Sequence, residues 1–350
     1  MPCSQPLSSI KKKMKQYILG ILIVITIISC NRKLNVAQTT LHHIVDYTEV
    51  NSLYRNNVSW DTLKPQIYKQ AKEAKSISDI SPALKYMLKA LGDEHGQVIF
   101  NNQLIGNYNG PPKEHQKYIE AEVYNELQSG DTYKFHSQLI KGSIGYLRIV
   151  SLPMGDNEKM AKEIQDRVCE LSENGVENWI IDLRYNTGGN LMPMAEGLAL
   201  IIGDDNVGGA RGLTDKESLV WRIKNGDFYI EDYSVNLKSD CIVPANSKVA
   251  VLVSSYTASS GEALAVIFKG RKNTKFIGQK TFGFVTGNDY QFLNDSIAVN
   301  LSVNYYQDRK GIVYDKYVDV DEEVFFSKSP LSTNDKAVEI AKKWILNKEN

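Results

Sequence analysis

The chain has 350 residues with 41 basic and 41 acidic side chains, a formal net charge of zero, and that balance argues against nucleic-acid binding, which usually brings a basic excess. With 42% hydrophobic and 23% charged residues, 10 Pro and 24 Gly, the composition excludes disordered and fibrous classes and fits a folded chain of one large or two ordinary domains. Cys3, Cys30, Cys169 and Cys241 are too few and too scattered for a disulfide framework, and no pair has zinc-site spacing, so a redox or metal protein is not expected.

The amino end reads as a targeting segment. Lys11-Lys12-Lys13-Met14-Lys15 precedes an uncharged apolar run, Tyr17 to Ser29, which is too short to span a bilayer and has the pattern of a secretory signal. Its end, Ile27-Ile28-Ser29-Cys30, resembles the bacterial lipobox. That resemblance implies a lipoprotein signal peptide over 1–29, lipidation at Cys30 and anchoring to a membrane of the bacterial cell envelope. A signal anchor in which Cys30 is incidental is the alternative. Polar Asn31-Arg32-Lys33 immediately after the cysteine favours the lipoprotein. Removing 1–29 takes away Lys11, Lys12, Lys13 and Lys15 and no acid, so the mature chain is mildly acidic.

From about Thr40 to Leu91 apolar residues recur at helical spacing, as in Leu84, Met87, Leu88 and Leu91, with Ser81-Pro82 as a helix start. This predicts a helical cap over 30–100. Residues 101–118 are rich in Asn, Gly and Pro, and 101–142 reads as linker and irregular segment. Beyond it the periodicity changes. Ser143 to Val150 reads as a strand and Glu158 to Asn174 as an amphipathic helix on Met160, Ile164, Val168 and Leu171. Trp179 to Leu183 and Val249 to Ser254 are short continuous apolar runs, as expected of strands covered on both faces. Helices are predicted at Pro193 to Ile202 and Gly261 to Lys269, strands at Phe276 to Gly278 and Ser296 to Tyr306, and a terminal helix within 329–350. Alternation of strand and helix implies an α/β core over 143–328 with a largely parallel sheet.

Two strand-to-helix turns carry candidate chemistry. After the first strand run comes Arg184-Tyr185-Asn186-Thr187-Gly188-Gly189-Asn190. Paired glycines permit a sharp turn and leave amide N–H groups accessible to developing negative charge. A plain tight turn explains the pair equally well. After the second run comes Tyr256-Thr257-Ala258-Ser259-Ser260-Gly261-Glu262, where a serine at a helix mouth can act as a nucleophile or simply as an N-cap.

Taken together the strings are more specific. The GYLRI around Gly145, D-L-R-x-N-x-G-G at Asp182 to Gly189, T-A-S-x-G-E at Thr257 to Glu262 and I-G-x-x-T-x-G at Ile277 to Gly283 resemble the tail-specific (C-terminal processing) and tricorn-like serine peptidases. The resemblance covers about Ile144 to Val324 and implies a ClpP/crotonase-like core. It places the nucleophile on Ser259 and the oxyanion hole on the amides of Gly188 or Gly189 and of Ser260. The tail-specific branch takes its base from a lysine after T-x-G, but Phe284 stands there. The tricorn-like branch uses a histidine in an L-x-D-x-H string, which here is Leu91-Gly92-Asp93-Glu94-His95, so His95 is the expected base. Asp315, beside Tyr314, is the nearest candidate for the orienting carboxylate, and Asp93 is the alternative. About 45 residues separate Phe100 from Ile144, too few for the PDZ module such peptidases often carry. The expected function is acyl-enzyme hydrolysis of peptide bonds in a polypeptide substrate, with no metal or organic cofactor and no nucleic-acid partner. The alternatives are a catalytically silent peptide-binding lipoprotein on the same fold and, on the shared core alone, a crotonase-like acyl-CoA enzyme.

Overall fold

The computed structural model describes residues 34–239, 241–332 and 335–347. The signal peptide expected over 1–29 and the lipidation expected at Cys30 lie outside the described residues. The amino-terminal part is helical, with α1 (Val36–Asn51), α2 (Trp60–Gln70) and α3 (Ser81–Leu91). Asn35 caps α1 by accepting the Gln38 amide while the Gln38 side chain accepts the Asn35 amide, a reciprocal capping box. Leu84, Met87, Leu88 and Leu91 of α3 are buried as one apolar stripe, and Gly92 ends the helix with φ +76°, a left-handed turn natural to glycine.

The stretch expected as linker is structured. It contains part of a hairpin, β1 (Gln97–Phe100) and β2 (Gln103–Asn107), then α4 (Ala121–Ser129) and β3 (His136–Ile140). Asn101 and Asn102 at the hairpin tip have φ of 48° and 62°, which asparagine tolerates better than most residues.

The rest of the chain runs β4 (Ile144–Arg148), α5 (Asn157–Glu173), β5 (Asn178–Asp182), α6 (Leu191–Gly197), α7 (Ala199–Ile202), β6 (Asp205–Arg211), β7 (Leu219–Lys224), β8 (Asp227–Ile230), β9 (Val249–Val253), α8 (Ser260–Phe268), β10 (Thr274–Gly278), β11 (Thr286–Asn294), β12 (Ile297–Asp308), β13 (Glu322–Glu323) and α9 (Lys336–Leu346). The predicted helix over Pro193 to Ile202 is thus two short helices meeting at Leu198.

Two sheets organise the fold. One has the order β13-β10-β9-β5-β4-β3, parallel except for β3, which runs antiparallel to β4. Successive side chains of its strands point to opposite faces. Trp179, Ile181, Val249, Val251 and Val253 join the main core with α5, α6 and α8, whereas Ile180, Ala250 and Leu252 pack under Ala337, Val338, Ala341 and Ile345 of α9. Burial on both faces explains why these strands read as unbroken apolar runs. The second sheet, antiparallel and seven-stranded, is absent from the sequence reading. In it β1 and β6 flank one edge of β12 and β11 the other. Ile297, Val299 and Leu301 of β12 close the core of the helical part against α1 and α3, so one long strand joins the cap to the rest of the fold.

Two cross-links stand out. Arg184, 1% exposed, pairs with Asp182 and, through both terminal nitrogens at 2.8 Å, with Asp335 at the start of α9. Cys169 on α5 and Cys241 in the loop before β9 form a disulfide. The spacing in the sequence gave no sign of this pairing.

Candidate active site

Strand β9 ends at the turn that presents Ser259. This residue has φ 52° and ψ −122°, a conformation costly for a residue with a Cβ and maintained only when surrounding contacts impose it. Those contacts are visible. The Thr257 hydroxyl donates to the Leu183 carbonyl at 2.8 Å, the Ser254 hydroxyl to the Arg184 carbonyl at 2.6 Å, and the Ala258 amide to the Asn186 carbonyl at 3.0 Å. The Ser259 amide donates to Glu262 Oε2 at 3.0 Å.

Glu262 is fully buried and its other oxygen accepts the Thr281 hydroxyl and the Gly283 amide. It therefore ties the serine turn to the loop after β10. Burial pushes its carboxyl up to about 7, although its hydrogen bonds favour the charged form. Tyr306 of β12 also approaches Ser259, and burial holds its phenol above the ordinary range.

The glycine pair abuts this turn. Gly188 and Gly189 have φ of +122° and +98°. A Cβ on Gly188 would lie 2.8 Å from the Ser259 Cβ, and one on Gly189 would lie 2.1 Å from the Leu152 carbonyl oxygen, so both positions need glycine for backbone shape and for close approach. The Gly188 amide is already committed, donating to Asn186 Oδ1 at 2.9 Å. Among the described residues the amides of Gly189 and Ser260 have no acceptor. The Ser260 hydroxyl donates to the Gly189 carbonyl at 2.6 Å, which fastens the two turns together. Ser260 opens α8, so its amide also lies at the positive end of a helix. Two free N–H groups beside a strained serine can bind an oxyanion.

His95 comes from the loop between α3 and β1. Its ring stacks on Phe284, centroids 4.5 Å apart with an interplanar angle of 14°, so this phenyl ring covers the imidazole. His95 Nδ1 is 2.9 Å from the Thr286 hydroxyl. Desolvation lowers the His95 pKa to about 4, which keeps the ring neutral near pH 7 and able to accept a proton. Asp93 lies below, fully buried, and accepts from the amides of His95 and Gly96 and from the amide and hydroxyl of Ser302. Asp315 is exposed and, with Glu94, Lys113 and Tyr305, lines a small recess that also reaches His95. It makes no hydrogen bond to His95, whose Nδ1 is taken by Thr286.

Ser259 and His95, on different elements, open onto one cleft of about 1120 Å³. Gly189, Ser260 and Tyr306 line it as well, and its apolar walls include Leu191, Trp221, Ile230 and Phe292.

Peptidase family S41 matches residues 143–324, just over half of the chain. The chain belongs to peptidase family S41. The nisin-resistance protein of Lactococcus lactis subsp. lactis is 25% identical over 269 residues, covering 76% of each chain. The carboxy-terminal processing protease CtpA of Bacillus subtilis is 28% identical over 168 residues, 48% of this chain and 32% of that protein. The S41 chain thus spans about a third of the length of that relative. Among solved structures, a lipoprotein from Streptococcus agalactiae superposes with a TM-score of 0.65 at 21% identity, covering 90% of this chain and 98% of that one. The photosystem II D1 C-terminal processing protease superposes at 0.50 and 17% identity, covering 83% and 94%. These likenesses establish the mixed α/β fold with its helical amino-terminal part.

Of the residues singled out in the sequence, Ser259, Ser260, Gly189 and His95 line the cleft, Gly188 sits behind Ser259, and Asp315 stands on the far side of His95. Sequence reasoning passed over Asn186 and Glu262, although both are fixed letters of the quoted strings, and over Thr286 and Ser302, which no string marks.

Proposed function

We propose that this S41 protein is a serine peptidase that cleaves polypeptides through an acyl-enzyme, with Ser259 as nucleophile and His95 as general base. The carrying observation is that a strained serine and a neutral histidine from distant parts of the chain open onto one cleft beside two acceptor-free amides. The Ser259 hydroxyl adds to the substrate carbonyl as its proton passes to His95. The amides of Gly189 and Ser260 receive the oxyanion. His95 then returns the proton to the leaving amine, and water repeats the sequence on the ester.

The same reading makes the protein an exported lipoprotein held at a membrane through Cys30. The Cys169–Cys241 disulfide supports export, because such bonds persist in oxidising compartments. Labelling with a fluorophosphonate tests the chemistry. Wild-type protein is expected to label at Ser259 and to hydrolyse an unstructured peptide, while Ser259→Ala loses both with its fold intact. Absence of labelling and of hydrolysis in folded wild-type protein would make it a silent peptide binder. Loss of incorporated fatty acid in Cys30→Ala tests the anchor.

A further inference from the structure

The hydrogen bonds behind His95 favour one tautomer of its ring. Asp93 Oδ1 accepts the amides of His95, at 3.2 Å, and of Gly96, at 2.8 Å. That oxygen is therefore an acceptor toward the Ser302 hydroxyl, 2.8 Å away, and Ser302 spends its only hydroxyl proton there. Ser302 Oγ can then only accept from Thr286 Oγ1, at 3.1 Å. The other neighbour of the Thr286 hydroxyl, Asn288 Oδ1 at 3.3 Å, is also an acceptor. A Thr286 proton turned toward His95 Nδ1, 2.9 Å away, would leave Thr286 Oγ1 facing two acceptor oxygens with no proton on either contact, so the arrangement favours a hydroxyl that donates to one of these oxygens and accepts from His95 Nδ1.

We infer that Thr286 and Ser302 are positioning residues that link buried Asp93 to His95, fix its proton on Nδ1 and leave the Nε2 lone pair as the base. The inference rests on His95 being the general base. It moves the orienting carboxylate from exposed Asp315 to buried Asp93, acting through two hydroxyls and not by direct contact. The arrangement is rigid because its members sit on paired strands. Thr286 begins β11 and Ser302 lies in β12, with Thr286 opposite Tyr305 in the ladder. Ser302 is fully buried, Thr286 is 4% exposed, and Asn288 holds the His95 carbonyl at 3.1 Å. A ring stacked on Phe284 and bonded at Nδ1 has one free nitrogen.

The test uses the full chain with Thr286→Val, Thr286→Ser, Ser302→Ala and Asp315→Asn, reading peptide-hydrolysis kcat and KM and the tautomer of ¹⁵N-labelled His95, whose signals are assigned by their loss in His95→Gln. Thr286→Val keeps the shape and removes the acceptor. It should lower kcat by about a hundredfold at unchanged KM, the lower end of what a placed general base contributes, and convert His95 from a pure Nδ1–H form to a mixture. Thr286→Ser should restore both readouts. Ser302→Ala should give an intermediate loss, and Asp315→Asn should leave kcat and tautomer unchanged. Wild-type tautomer and kcat in Thr286→Val, or a tautomer change in Asp315→Asn, would overturn the relay. If His95→Gln itself hydrolyses peptide at the wild-type rate, the general-base reading fails, whereas the tautomer in Thr286→Val still reports on the relay.

Discussion

Gly189→Ala tests the oxyanion assignment more sharply than removal of the nucleophile, because the structure supplies its magnitude. A Cβ added at Gly189 would sit 2.1 Å from the Leu152 carbonyl oxygen, with the Leu152 carbonyl carbon at 3.1 Å. Ordinary contact requires the backbone to retreat by roughly 1 Å, a misplacement that costs about a hundredfold in a positioned site. Loss of a single oxyanion donor costs about 10²–10³-fold in kcat, so the two routes agree. The φ of +98° adds strain of about 1–3 kcal/mol to the folded state. Gly203→Ala is the control: its φ is +84°, but nothing lies within 4 Å of the new methyl, so it should carry only the φ strain of about 1–3 kcal/mol and leave kcat alone. The measurements are kcat and KM on a peptide substrate together with thermal unfolding of each variant. A Gly189→Ala protein that folds and keeps kcat within a few-fold of wild type would refute the placement of the oxyanion.

Other consequences concern pH and stability. Because burial lowers His95 to about 4, kcat/KM should keep its acid limb near pH 4 and not near 6.5, where an exposed histidine titrates; a limb at 6.5 would contradict the site as built. Glu262 and Glu196, the latter buried on α6 where it accepts the Phe228 amide, are both raised by burial to about 7, so between their unfolded value of 4.5 and pH 7 the folded state holds protons that the unfolded state has lost. Their stabilising contribution is complete below 4.5 and is lost as pH rises through 7, and Glu196→Gln should flatten this part of the denaturant midpoint against pH. Asp335→Ala leaves buried Arg184 with Asp182 as its one remaining carboxylate. Removing one partner of such a buried pair costs about 3–5 kcal/mol, read by urea unfolding, and a loss below 1 kcal/mol would contradict it. Replacing Cys169 and Cys241 by serine should cost about 2–4 kcal/mol in the oxidised protein, with no change in kcat.

The strands of the parallel sheet were legible because burial on both faces leaves an unbroken apolar run: Trp179 to Leu183 and Val249 to Ser254 need no partner to be recognised. The turns that follow were legible too, since glycines and a helix-opening serine are local chemistry. Strands β6 and β11 were not. Their segments hold the runs Asp205-Asn206-Val207-Gly208-Gly209 and Thr286-Gly287-Asn288-Asp289, in which Gly, Asn and Asp signal turns and the pairing partner alone makes a strand. Strands β7 and β8 are short and were passed over although Trp221 and Ile223 alternate with more exposed neighbours. The hairpin of β1 and β2 was hidden because the Asn-, Gly- and Pro-rich stretch that follows Phe100 reads as a linker.

The sequence by itself therefore determined the family and the two turns, and it marked Ser259, Gly189, Ser260 and His95 as candidates, because each lies in a string whose chemistry is contiguous. Only the tertiary structure decided what stands behind them. Thr286 and Ser302 meet His95 and Asp93 through strand register, Arg184 finds Asp335 across the sheet, and Cys169 reaches Cys241. Such pairings depend on which strands lie side by side, and a hydroxyl or a carboxylate carries no mark in its own neighbourhood of the partner it will meet.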